Sequence, residues 1–203
     1  MRHIIASVVL ALVVFVVSCA GPQSIQALQL QGQTFCTAFS INQVEGWWVT
    51  ARHCAEFAEA MGKTLNAVAT IEDAPIIIMY MDQHTDVAVV YADAHESAFV
   101  LATQPVPVGN ALTIIGYPYG LPRTMTKGSM AARDVPLSHP NFFDLLISDV
   151  YDVTVAGGNS GSPVLNQHGE VVGLLWGGFP DAPLAIGVPL HELRRAVQDY
   201  VER

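Results

Sequence analysis

The most informative segment of the chain is Gly157-Gly158-Asn159-Ser160-Gly161-Ser162-Pro163, which is rich in glycine and has a serine at its centre. A serine hydroxyl is a weak nucleophile and needs a neighbouring base to take its proton. Glycines beside it let backbone N–H groups approach a negatively charged oxygen without obstruction by a Cβ atom. Taken alone, such a stretch is equally well an ordinary surface loop, so its meaning depends on what the rest of the chain supplies.

Two upstream segments supply the partners that a nucleophilic serine requires. His53 lies in Thr50-Ala51-Arg52-His53-Cys54, and Asp86 opens the apolar run 86–90. Histidine accepts a proton near neutral pH and returns it to a leaving group, and a buried carboxylate holds the imidazole in the required tautomer. Each segment alone has a structural interpretation, but the three together predict the catalytic set His53, Asp86 and Ser160.

The composition favours a β-rich globular chain and excludes several other classes. The 203 residues carry 16 glycines and 12 prolines with only 13% charged residues, which indicates many turns and short strands rather than a coiled coil or a disordered chain. The formal net charge of −9 disfavours a nucleic-acid partner, because such binders need a basic face. No cofactor motif is present in the sequence.

The N-terminus has the pattern of an export signal. A basic start is followed by the apolar run Ile4–Val17, which predicts a secretory signal peptide over residues 1–18. Its end, Val16-Val17-Ser18-Cys19, resembles the lipobox of bacterial lipoproteins. This resemblance implies lipidation at Cys19, a membrane partner held through that lipid, and a location in the bacterial cell envelope. An ordinary signal peptide cut near Ala20 is the alternative.

The two cysteines that remain after Cys19 form an even pair in an exported chain. Cys36 and Cys54 are separated by 18 positions, and export allows a disulfide to persist. A bridge is therefore favoured over two buried free thiols.

The order of apolar runs predicts an all-β fold of two six-stranded antiparallel β-barrels followed by a C-terminal α-helix. The main strand candidates are Thr34–Ile41, Trp47–Thr50, Leu65–Ile71, Ile76–Met81, Val87–Tyr91, Ala111–Gly116, Thr124–Met130, Leu145–Asp149, Val164–Asn166, Val171–Trp176 and Ala185–Val188. The predicted units are a tether over 19–32, an N-terminal barrel over 33–104, a C-terminal barrel over 105–188 and a helix over 189–203.

The three catalytic segments, in the order His53, Asp86, Ser160, resemble those of the chymotrypsin/trypsin-fold serine peptidases. This resemblance implies a serine endopeptidase that acts on protein or peptide substrates through an acyl-enzyme, without metal or cofactor. It also implies an oxyanion hole formed by the N–H groups of Gly158 and Ser160. Finally, it implies the disulfide Cys36–Cys54, which matches the bridge at that family's catalytic histidine.

Two bacterial branches of that family show closer similarity. The stretch Leu112–Arg133 and the sequence Gly169-Glu170-Val171-Val172-Gly173 resemble the protease domain of HtrA (DegP-like) proteins, whose usual PDZ domain is not expected here. The stretches 151–163 and 171–178 are similar to the C-terminal barrel of the glutamyl endopeptidases. Those enzymes place a histidine and a threonine where this chain has Leu175 and Val155.

These two departures bear on the pocket for the substrate residue whose carbonyl is attacked, P1. An acidic P1 side chain against Val155 and Leu175 would be left unpaired. A pocket formed by Val155, Leu175, Trp176 and Gly177 is therefore expected to prefer apolar P1 residues; the alternative is that Val155 and Leu175 are only core residues. Asn159 replaces the aspartate that trypsin-like zymogens use on activation, which predicts competence without proteolytic activation.

Two other functions remain open from the sequence. The first is a catalytically silent protease-like protein that binds a partner at a membrane surface, and the second is incidental esterase-type hydrolysis by the same site. A metal site is not expected, because His191-Glu192-Leu193-Arg194-Arg195 lacks the second histidine of a zinc-binding helix.

Overall fold

A computed structural model describes residues 24–41, 46–94, 97–138 and 145–202. The predicted signal peptide and Cys19 lie outside these ranges. Over the described ranges the chain forms two antiparallel sheets and two α-helices. Neither of these helices has the length and the apolar run needed to cross a bilayer.

The N-terminal sheet has seven strands and one inserted helix. In spatial order the strands run β5-β4-β1-β2-β3-β7-β6. Their bounds are β1 Ile25–Leu30, β2 Gln33–Ser40, β3 Trp47–Thr50, β4 Ala69–Ile71, β5 Ala74–Pro75, β6 Ile77–Met81 and β7 Ala88–Tyr91, with α1 Arg52–Leu65 between β3 and β4.

The C-terminal sheet closes into a six-stranded barrel, in the order β10-β13-β12-β11-β8-β9. Its elements are β8 Ala111–Gly116, β9 Thr124–Ser138, β10 Leu145–Asp152, β11 Pro163–Leu165, β12 Val171–Gly178 and β13 Leu184–Pro189, followed by α2 Leu190–Val201. The predicted all-β class with two barrel-like sheets and a C-terminal helix is confirmed.

One hydrophobic core joins the two sheets. Phe39 and Trp48 from the N-terminal sheet belong to the same buried cluster as Leu174 from the C-terminal barrel. The helix α2 adds Leu193 and Val197 to this cluster, at the four-residue spacing that places side chains on one helix face. Burial of apolar area therefore holds the two sheets in a fixed relation. The place where they meet, at Ser160 and the start of α1, is called the groove below.

The structure corrects the predicted tether over 19–32. Ile25–Leu30 is a strand that pairs with β2, and Ile25 and Leu28 are buried in the core. The glutamines of this segment suggested a solvated linker. However, the apolar residues between them are sufficient to fill the space against β2.

The structure also differs from the prediction of six strands in the N-terminal sheet. Strand β1 and the two-residue strand β5 bring the number among the described residues to seven. Helix α1 continues to Leu65, so the strand predicted over Leu65–Ile71 is reduced to Ala69–Ile71. Asn66 ends the helix in a left-handed conformation (φ 50°), which asparagine tolerates better than most residues.

A disulfide joins Cys36 on β2 to Cys54 in the first turn of α1, as the sequence predicted. Both cysteines are buried. The bridge closes a sequence separation of 18 residues and attaches the start of α1 to the centre of the N-terminal sheet.

The double variant Cys36→Ser, Cys54→Ser is expected to lower the free energy of unfolding by about 3 kcal/mol, because the unfolded chain regains the entropy of an open loop. Urea unfolding measures this difference. Wild-type protein unfolded under reducing conditions is the matched control and should show the same loss. A stability equal to that of the oxidised wild type would contradict a structural role for the bridge.

Candidate active site

The first turn of α1 places His53 against the buried carboxylate of Asp86. The backbone N–H of His53 donates to Asp86 Oδ1 at 2.9 Å, and the ring atom Nδ1 lies 2.6 Å from Asp86 Oδ2. Because a carboxylate only accepts hydrogen bonds, the ring proton belongs on Nδ1, and Nε2 is left as a proton acceptor. Asp86 has no exposed surface, whereas the His53 side chain is 26% exposed.

The loop that carries Asp86 is held by Asp82, whose side chain is also fully buried. Asp82 Oδ1 accepts the N–H groups of His84 and Thr85, which forms a tight side-chain turn. Arg195 on α2 lies 3.1 Å from Asp82 Oδ2, and Arg52 donates to the Asp82 carbonyl at 2.7 Å. The position of Asp86 is thus tied to both helices.

Ser160 lies in the turn between β10 and β11, on the opposite side of the groove. Its carbonyl accepts the N–H of Thr37 at 2.8 Å and lies 3.9 Å from Sγ of Cys54, the residue after His53. The following residue must be glycine, because Gly161 has φ +85° and a Cβ there would lie 2.1 Å from the Thr37 carbonyl oxygen. The serine hydroxyl donates to the Trp176 carbonyl at 3.3 Å.

The backbone from Gly157 to Ser160 is held through its carbonyl groups. The Gly157 carbonyl accepts the N–H of Tyr119 at 2.6 Å, and the Gly158 carbonyl accepts the Thr37 hydroxyl at 2.8 Å. Over the described part of the chain, no acceptor meets the N–H of either Gly158 or Ser160. Gly158 has φ +97°, and a Cβ there would lie 2.3 Å from the Tyr117 carbonyl oxygen.

The turn Pro118–Gly120, between β8 and β9, stands beside this loop. Tyr117, the residue before it, is half-buried, and its phenol donates to the carbonyl of Ile25 on β1 at 3.1 Å. Burial raises the pKa of Tyr117 further above its ordinary value, and the phenol is protonated at neutral pH in either case. The strand that the sequence did not predict therefore helps to hold the turn.

A cavity of about 510 Å³ opens next to Ser160. Residues 154–157, Leu175, residues 177–180, Ala182 and Leu184 form its wall, and Tyr119 lies at its edge. Val155, Leu175 and Gly177 of the predicted pocket are among these residues. No carboxylate, ammonium, guanidinium or imidazole group is among the described residues that line it.

Trp176, the fourth residue of the predicted pocket, is not among the residues that line this cavity. The indole is buried, and its Nε1–H donates to the Ser148 hydroxyl at 3.3 Å. The cause is a β-bulge: Leu175 pairs with Gly187 and Gly177 with Ile186, so Trp176 has no opposite partner on β13. Its side chain turns into the core while its carbonyl faces Ser160.

Cys36, His53 and Cys54 bring potential metal-ligand atoms within 4.8 Å of one another. The disulfide uses both sulfur atoms, so this cluster lacks the thiolates that a zinc site of this kind would need. The same proximity instead shows how closely the disulfide adjoins the imidazole.

A scan of family models matches residues 36–174 to the trypsin-like peptidase domain. The chain belongs to this family. Curated relatives of this trypsin-like peptidase domain include a probable periplasmic serine endoprotease, DegP-like, from Brucella suis, 30% identical over 167 residues that make up 78% of this chain and 31% of that protein. A protein of the same description from Chlamydia trachomatis is 30% identical over 140 residues, 68% of this chain and 27% of that protein. The peptidase domain therefore spans less than a third of the length of these relatives.

Solved structures with a similar fold include the Rv3671c protease from M. tuberculosis in its active form, with a TM-score of 0.66 and 22% identity over 86% of this chain and 78% of that chain. The HtrA-type protease AlgW with a decapeptide has a TM-score of 0.68 and 20% identity over 84% of this chain and 52% of that chain. At these identities the likeness establishes the fold of the trypsin-like peptidase domain.

Thr37 and Tyr119 are the site residues that the sequence did not reveal. Thr37 is a single threonine within a strand. Tyr119 acts through its backbone N–H, a group that any residue except proline could supply. The nearest signal was the position of Thr37 directly after a cysteine of the predicted bridge.

Proposed function

We propose that this domain is a serine endopeptidase in which Ser160 is the nucleophile, His53 the general base and Asp86 the residue that orients the base. The contact of 2.6 Å between the buried Asp86 carboxylate and His53 Nδ1 carries this proposal, since it leaves Nε2 as a proton acceptor. Membership of the trypsin-like peptidase domain family supports the same chemistry.

The reaction begins when the Ser160 hydroxyl turns from the Trp176 carbonyl to His53 Nε2. Its oxygen attacks the substrate carbonyl carbon as its proton passes to Nε2, and the charge that develops on the substrate oxygen is bound by the N–H groups of Gly158 and Ser160. The C–N bond then breaks as Nε2 gives the proton to the leaving amine. Water then attacks the acyl carbon and gives its proton to Nε2. The bond to Ser160 breaks as Nε2 returns that proton to the Ser160 oxygen.

The Trp176 carbonyl has a second role in this proposal. When the Ser160 hydroxyl turns away from it, this carbonyl is proposed to accept the N–H of the P1 residue. It is turned to the groove by the bulge in β12, and the two glycines that follow leave room for an extended peptide to lie alongside. The same backbone group would thus serve the resting serine and the bound substrate in turn.

The pocket beside Ser160 supports a preference for apolar P1 residues. Among its lining residues Val155 and Leu184 are half-buried and Leu175 is buried, and none of the described lining residues carries a cation that could pair with an acidic substrate side chain. A buried, unpaired carboxylate costs several kcal/mol, which is about two or more orders of magnitude in kcat/KM.

The domain is proposed to be competent without a proteolytic activation step. The residue before the nucleophile is Asn159, which is buried and carries no charge that a new N-terminus would neutralise. Its backbone N–H donates to the Ala156 carbonyl at 3.1 Å, and its carbonyl accepts the N–H of Ser162 at 2.9 Å. These bonds hold the turn around Ser160 without help from the N-terminus.

Export to the bacterial cell envelope is supported by the periplasmic DegP-like relatives and by the signal pattern of residues 1–18. Attachment to a membrane through a lipid on Cys19 is the further proposal. It would keep the groove near a membrane surface, where protein or peptide substrates of the envelope would reach it.

A fluorophosphonate probe is expected to label the wild-type protein at Ser160, as located by mass spectrometry of the labelled peptide, and to leave Ser160→Ala unlabelled. The exposed Ser138→Ala change on β9 is the matched control and should label like wild type. Asp86→Asn should slow labelling by about three to four orders of magnitude, because the imidazole loses its oriented tautomer. A folded wild-type protein that takes no label would instead favour the catalytically silent binding protein.

Peptide p-nitroanilides that differ only at P1 test the pocket. We expect kcat/KM for a P1 valine to exceed that for a P1 glutamate by about 100-fold or more, because the glutamate charge finds no partner. A P1 glutamine, which matches glutamate in size without its charge, is the control and should be cleaved faster than glutamate. Faster cleavage after glutamate than after both others would overturn the apolar assignment.

A further inference from the structure

Thr37 on β2 holds the carbonyl groups of both residues whose N–H groups would form the oxyanion hole. Its N–H donates to the Ser160 carbonyl at 2.8 Å, and its hydroxyl donates to the Gly158 carbonyl at 2.8 Å. Thr37 belongs to the N-terminal sheet, whereas Gly158 and Ser160 belong to the C-terminal barrel. One residue of the N-terminal sheet therefore binds the loop of the C-terminal barrel that carries the proposed catalytic serine.

The Thr37 hydroxyl also accepts the N–H of Tyr117 at 3.2 Å. It thereby connects the nucleophile loop to the turn Pro118–Gly120, whose Tyr119 N–H binds the Gly157 carbonyl. Thr37 has no exposed surface, so water cannot easily replace its hydroxyl in these bonds. The hydroxyl therefore donates one hydrogen bond and accepts another.

These bonds fix the peptide planes on both sides of Gly158. The plane before it is held through the Gly157 carbonyl by Tyr119, and the plane after it is held through the Gly158 carbonyl by Thr37. Glycine has little steric resistance to rotation of these planes. A rotation of the first plane would turn the Gly158 N–H away from the groove and remove one of the two donors.

We propose that the Thr37 hydroxyl is a positioning group that keeps the Gly158 N–H directed at the developing oxyanion. This proposal rests on the serine endopeptidase function proposed above. The hydroxyl acts directly on the plane after Gly158 and, through Tyr117 and its turn, on the plane before it. It does not touch the substrate.

The position of Thr37 is itself set by the elements that carry the base. Its neighbour Cys36 is bonded to Cys54, the residue after His53. The carbonyl of Thr37 accepts the Thr50 hydroxyl on β3 at 2.8 Å. The general base His53 and the positioning residue Thr37 are therefore attached to the same elements. A displacement between the two sheets would disturb proton transfer and oxyanion binding at once.

Three substitutions at Thr37 test the proposal, with a P1-valine peptide p-nitroanilide as substrate. Thr37→Val keeps the shape and removes the hydroxyl, and Thr37→Ala removes it while leaving space. Both are expected to lower kcat by about 10- to 100-fold with KM within about 3-fold, because an oxyanion donor acts in the transition state and hardly on substrate binding. Thr37→Ser restores the hydroxyl and should retain kcat within about 3-fold of wild type.

The control Thr64→Val removes a hydroxyl that donates to the Ala60 carbonyl on α1, away from the groove, and should leave kcat unchanged. Thermal unfolding of each variant identifies those that are folded at the assay temperature. Three outcomes would overturn the role of the hydroxyl. The first is a folded Thr37→Val or Thr37→Ala variant with the kcat of wild type, and the second is a loss of activity that appears only as a higher KM. The third is a Thr37→Ser variant as slow as Thr37→Val. Wild-type protein that does not react with a fluorophosphonate would overturn the proposed function itself, and this inference with it.

Discussion

The buried carboxylate of Asp86 is the constraint on which the rest of the site depends. A buried charge is tolerated only where hydrogen bonds replace its hydration, and each oxygen of the Asp86 carboxylate makes such a bond to His53. One oxygen accepts the backbone N–H in the first turn of α1, where the helix dipole favours a negative charge, and the other accepts the ring. The start of the helix and the orientation of the imidazole are therefore set by a single group. The pairing of Asp82 with Arg195 holds the loop that carries Asp86 in place.

The groove between the two sheets divides the work of the proposed reaction. The N-terminal sheet and α1 contribute the base, its orienting carboxylate and Thr37, whereas the C-terminal barrel contributes Ser160, the two oxyanion donors and the P1 pocket. Such a division demands that the sheets keep a constant separation. The shared core around Trp48 and Leu174, and the bonds that Thr37 makes across the groove, supply that rigidity. Rigidity of this kind matters because electrostatic stabilisation of a transition state depends on groups that are already in position.

Local chemistry made part of this arrangement predictable from the sequence. The segments around His53, Asp86 and Ser160 predicted the catalytic set because they occur together, the cysteine pair allowed a single bridge, and the last segment, 189–203, was predicted to be the helix that α2 forms. The prediction was wrong where side-chain composition masked tertiary packing. Glutamines concealed the buried strand Ile25–Leu30, and a β-bulge reversed the direction of Trp176. Thr37 and Tyr119 could not be predicted at all, since their roles arise from contacts across the groove between segments far apart in the chain.

The tautomer and bonding of the His53 ring test the central claim most directly. Nuclear magnetic resonance of protein with ¹⁵N-labelled histidine reports which nitrogen of the neutral ring carries the proton. Comparison with a His53→Gln variant assigns the His53 signals. We expect a proton on Nδ1 that is strongly deshielded and slow to exchange because it lies against the Asp86 carboxylate. This signal should be lost in Asp86→Ala. A proton on Nε2, or a ring signal that Asp86→Ala leaves unchanged, would contradict it.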